Sequence, residues 1–115
     1  MRDTTVSFLH KSINMEFSND EKYAIMAILT LIMEADAITH PKEIEFMDEM
    51  MQTLGISVRD LDCMETVDLS LAKRTVLAMS SPKQQAAKHW FHRMAEADGN
   101  VDPRETHIVD EIFGE

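Results

Sequence analysis

Two stretches of this chain are one unit written twice, and that repeat limits the possible folds more than any other feature. Residues 34–50, EADAITHPKEIEFMDEM, align without a gap on residues 96–112, EADGNVDPRETHIVDEI, at an offset of 62. Identities fall at Glu34/Glu96, Ala35/Ala97, Asp36/Asp98, Pro41/Pro103, Glu43/Glu105, Asp48/Asp110 and Glu49/Glu111, and Lys42 matches Arg104 in charge. Upstream, at the same offset, Ile25, Ile28, Leu29 and Ile32 stand where Ala87, Trp90, Phe91 and Met94 stand. Both sets are spaced i, i+3, i+4, i+7, the stripe of a helix with one buried face. Each copy therefore predicts a helix, an acidic corner and a second helix, over about residues 19–54 and 81–113.

Local punctuation supplies the helix ends. Ser18 or Asn19 is placed to cap the first repeat helix, with Asp20 and Glu21 in its first turn, and the helix is expected to end near Asp36. His40 precedes Pro41, a good first helical residue, and Glu43 holds the capping-box position. Phe46, Met47, Met50, Met51 and Leu54 form the apolar side of that helix, and Gly55 is a natural stop. Ser57-Val58-Arg59-Asp60 predicts a short helix through about Thr66, and Asp68 or Ser70 opens the next. Ser81 is expected as a cap, followed by Pro82 and by Gln84 as its box partner. Ile108, Val109, Ile112 and Phe113 line the final helix. Val6, Phe8, Leu9 and Ile13 predict a first short helix within residues 1–17. No stretch alternates like a strand, and three Gly and three Pro are few. The expectation is one all-α domain over residues 1–115, a bundle of about six to seven helices with an internal helix–corner–helix pseudo-repeat. A chain of this size buries roughly two-thirds of its unfolded surface and needs no disulfide or metal to fold.

Charge narrows the partners. A net charge of −10 argues against nucleic acid and against anionic lipid, and it suits cations or basic protein segments. The single Cys63 excludes an internal disulfide and a cysteine zinc cage. The N-terminal sequence has no secretory pattern, and the apolar run from Tyr23 to Met33 is too short for direct membrane insertion. A cytoplasmic location is the expectation.

The corners carry what chemistry there is. Each sets an Asp at the end of one helix and a Glu seven residues on, at the third position of the next: Asp36 and Glu43, Asp98 and Glu105. Glu at that position has an ordinary capping role. Asp at a helix C-terminus opposes the dipole, so it calls for a turn hydrogen bond, a cation or a basic partner. Asp98, Asn100 and Asp102 form D-x-N-x-D, the opening of an EF-hand calcium loop. Pro103 and Val109 replace its later Gly and Glu, so a standard EF-hand is excluded. A weak or shared Ca²⁺ or Mg²⁺ site would use Asp98, Asn100, Asp102 and Glu105, with Asp36 and Glu43 from the first corner. His89 and His92 share a helix face, but no third zinc ligand is placed. No phosphate loop, nucleophile elbow or Cys–His signature is present, so the reading is non-enzymatic. Ten Met offer an alternative, an interaction domain docking partners on Met-rich apolar surface while the corners only cap helices.

Asn19-Asp20-Glu21-Lys22, Glu34-Ala35-Asp36, Pro41-Lys42-Glu43, Ala97-Asp98-Gly99 and Pro103-Arg104-Glu105 together resemble the TerB-like tellurite-resistance family. That family includes the N-terminal domain of a membrane-anchored DnaJ-like co-chaperone. The similarity runs over about residues 18–115, and Ala37 departs from the Gly usual after the first Asp. The resemblance implies an all-helical, non-enzymatic bacterial domain linked to tellurite resistance and stress. It also implies metal or protein binding at Asp36, Glu43, Asp98 and Glu105.

Overall fold

A computed structural model describes residues 16–35, 40–60, 68–97 and 103–114, the side chain of Glu105 apart. Five α-helices cover these residues, fewer than the six to seven expected, and none of the described residues is in a strand. They are α1 (Asn19–Glu34), α2 (Pro41–Leu54), α3 (Leu69–Leu77), α4 (Ser81–Ala95) and α5 (Pro103–Phe113), with a 3-10 turn at Val58–Asp60. The first expected helix, apart from Glu16 and Phe17, and the continuation of the short helix toward Thr66 lie outside the described residues.

Most ends form as their residues dictate. Ser18 and Glu21 make a full capping box: the Ser18 N–H donates to Glu21 Oε1 at 2.8 Å and the Glu21 N–H to Ser18 Oγ at 3.2 Å. The Asp68 carboxylate accepts the Leu71 N–H at 2.8 Å. After α2, Gly55 takes a left-handed φ of 69°. The following Ile56 N–H then reaches back to the Met51 carbonyl at 2.8 Å, closing a Schellman end. Ser57 donates its N–H and hydroxyl to Asp60 Oδ2, and the Tyr23 hydroxyl donates to Asp60 Oδ1 at 3.1 Å, which ties the 3-10 turn to α1. These donors hold the Asp60 carboxyl below its ordinary value.

The first repeat helix ends at Glu34, with Ala35 as its cap, close to the expected Asp36. One boundary differs from expectation. Ser80, one residue before the expected Ser81, stands in extended conformation as the α4 cap. Gln84 makes no box there. Its amide donates to the carbonyls of Leu77 and Met79, at 3.0 and 2.9 Å. The end of α3 leaves carbonyls without helical partners, and Gln84 lies within reach of them across a tight connection.

α1 is the central helix and packs against all four others. Ile25, Ile28, Leu29 and Ile32 are fully buried, each contributing about 1.5–3 kcal/mol on the usual scale. Ala87, Trp90, Phe91 and Met94, which stand at the offset of 62 from them, are buried too. The two units also touch at equivalent positions. Lys83 Nζ lies 2.9 Å from Glu21 Oε1, a pair 62 residues apart, and 5.4 Å from the centroid of Phe17. Partial burial pushes the Glu21 carboxyl up, but the Ser18 N–H and Lys83 outweigh it and hold it below its ordinary value.

Candidate functional site

Of the six residues read as a cation set, the structure describes the side chain of one. Asp36, Asp98, Asn100 and Asp102 lie outside the described residues, as does the side chain of Glu105. Glu43 is 1% exposed, the single buried charged residue among those described. Its Oε1 accepts the His40 N–H at 2.9 Å, the back-bond of a capping box. The capping role expected of it is therefore present. Among the described residues no three His, Cys, Asp or Glu side chains converge as a metal group. His89 is exposed and His92 half-buried on α4, and His107 Nε2 stands 3.7 Å from Glu111 on the surface of α5.

The structure instead assembles a seam between the two repeat units. A cavity of about 410 Å³ opens between α2 and the end of α4, lined by Lys42, Glu45, Phe46 and Glu49 on one side and Arg93, Glu96 and Ala97 on the other. Phe46 is positioned by the apolar stripe of α2, which turns Phe46, Met50 and Leu54 inward. The same periodicity leaves Glu45, Asp48 and Glu49 exposed along the outer face, beside Ile44 at 51% exposure. Arg93, in the last turn of α4, lays its guanidinium 4.7 Å from the Phe46 ring centroid. Its Nη1 lies 3.4 Å from Glu49 Oε2. Glu45 and Glu96 form no ion pair with any described residue. This wall offers carboxylates to a cation at an open surface, beside a ring face that Arg93 covers, chemistry suited to binding.

Glu49 and Glu96 are repeat identities and Phe46 lies on an apolar stripe, but none of the three was read as a binding residue, and Glu45 and Arg93 carry no motif. A signal existed, because Ile44, Glu45, Asp48 and Glu49 recur at helical spacing opposite the buried stripe. Their pairing with α4 had none, since Arg93 and Glu49 are 44 residues apart.

The Met residues of the alternative reading lie in or against the core where they are described. Met26, Met50, Met79 and Met94 are buried, and Met33, Met47 and Met51 pack partly buried against the core; Met64 lies outside the described residues. Met is unbranched and fills irregular interior gaps, so these side chains are consumed by packing. Among the described residues the exposed large apolar ones are Ile44, Val58, Leu69, Leu71 and Leu77. No described helix is long and apolar enough to cross a membrane.

No family model, curated protein or solved structure matches this chain.

Proposed function

We propose that this chain is a cytoplasmic, non-catalytic binding module of the TerB-like kind that engages a basic segment of a protein partner across the seam between its repeat units. The observation that carries this reading is the seam cavity, where Glu45 and Glu49 of α2 meet Glu96 at the end of α4 beside the exposed acidic face of α2. The net charge of −10 supports it by steering basic partners toward the surface. The tellurite and stress associations come from the resemblance in sequence.

The test is calorimetric titration with a synthetic peptide of arginine and alanine in equal parts. Binding should weaken with salt and fall about tenfold or more in the Glu45→Lys/Glu96→Lys double variant. Undiminished binding by that variant would refute the seam as the site. The D-x-N-x-D run at Asp98, Asn100 and Asp102 supports a Ca²⁺ or Mg²⁺ reading at the second corner instead. Heat on adding either cation, lost in Asp98→Asn while the peptide gives none, would move the function there.

A further inference from the structure

We infer that Arg93 is an internal occupant of the basic-partner site, so that a docking cation must displace it. This rests on the reading above that the seam receives a basic segment. A cationic side chain entering the seam needs a ring face and a carboxylate. Arg93 already holds both, with its guanidinium 4.7 Å from the Phe46 centroid and Nη1 3.4 Å from Glu49 Oε2. The contact joins the end of α4 to α2, across the two repeat units.

The geometry is that of an exchangeable contact. The Arg93–Glu49 distance is long for a charge-assisted hydrogen bond, which is usually about 2.7–2.9 Å. Both side chains are about half exposed, at 48% and 55%, so water and a competing cation reach them. Phe46 beneath is 5% exposed and lines the cavity, and the guanidinium lies over its ring. Lys42 lines the same cavity with the same charge but forms no ion pair or ring contact with a described residue. Arg93 and Lys42 therefore separate occupancy of the site from its net charge.

The experiment is titration of the arginine–alanine peptide into the full chain and the variants Arg93→Ala, Arg93→Gln and Lys42→Ala. Each substitution removes one positive charge from the cavity wall. Both Arg93 variants should bind the peptide about two- to fivefold tighter than Lys42→Ala does, the range an exposed cation–π contact supplies. Arg93→Gln keeps bulk and helix propensity, so agreement of the two guards against local unfolding in Arg93→Ala. Arg93 variants that match Lys42→Ala, or bind more weakly than the unsubstituted chain, would overturn the inference. In that case binding that still depends on Glu45 and Glu96 leaves the proposed function standing. Absence of peptide binding by all forms overturns both.

Discussion

Replacing Glu43 separates a carboxylate kept for its hydrogen bond from one kept for its charge. The side chain is 1% exposed and accepts the His40 N–H at 2.9 Å. Glu43→Ala removes a hydrogen bond to a charged group, about 1.5–3 kcal/mol, and the burial of a methylene, about 0.8 kcal/mol. The net expectation is a loss of about 2–4 kcal/mol, the hydrogen-bond figure being already net of desolvation. For a domain of this size that lowers Tm by about 8–16 °C. Glu43→Gln keeps the volume and an acceptor oxygen for the His40 N–H, so it should stay within about 1 kcal/mol of the original. The assay is urea unfolding followed by far-ultraviolet circular dichroism, with thermal melts alongside. Urea is chosen because a guanidinium salt would screen the charges under test. A Gln variant as damaged as the Ala variant would show that the charge, and with it an ionic ligand, is what the position supplies. An Ala variant within about 0.5 kcal/mol would refute the capping argument itself.

Two further outcomes are expected. Glu21 is held below its ordinary value in the fold, so between the folded and unfolded values the unfolded chain binds more protons and stability rises with pH. The Glu21–Lys83 contribution is thus present above the ordinary glutamate range near ~4.3 and is lost as pH falls through the lower folded value. Lys83→Met should therefore cost about 1 kcal/mol near pH ~6 in urea melts, and the cost should shrink as pH falls through the folded Glu21 value; a cost that does not change with pH would assign the loss to the contact with Phe17. At Gly55 a Cβ would meet nothing within 4 Å, so the φ of 69° alone sets the cost of Gly55→Ala, about 1 kcal/mol. Thermal melts should show that loss and a smaller one for Gly55→Asn; an unchanged Tm for Gly55→Ala would refute the left-handed stop.

The fold was largely legible because its determinants are local. Ser18 with Glu21, Pro41 with Glu43, and Gly55 each act within one turn of chain, and the apolar stripes recur within a few residues. At Gln84 a partner in the preceding helix end competed: the side chain could box with its own cap or satisfy the end of α3, and the close connection between α3 and α4 chose the second. The candidate site was less legible. Motif reasoning favoured Asp36, Glu43, Asp98 and Glu105, since repetition is visible in letters. Of these four the structure describes the Glu43 side chain, and shows it buried in a cap.

The sequence by itself determined that this chain is helical and acidic, with the pattern of residues 34–50 recurring at 96–112. Hydrogen bonds between near neighbours and the 3.6-residue period are written in the order of residues, so no tertiary information was needed for them. Tertiary structure alone decided that equivalent positions Glu21 and Lys83 meet, and that Arg93 lies on Phe46 beside Glu49. Those contacts join residues 62 and 44 apart, and they depend on how helices cross, which is set by the packing of whole faces.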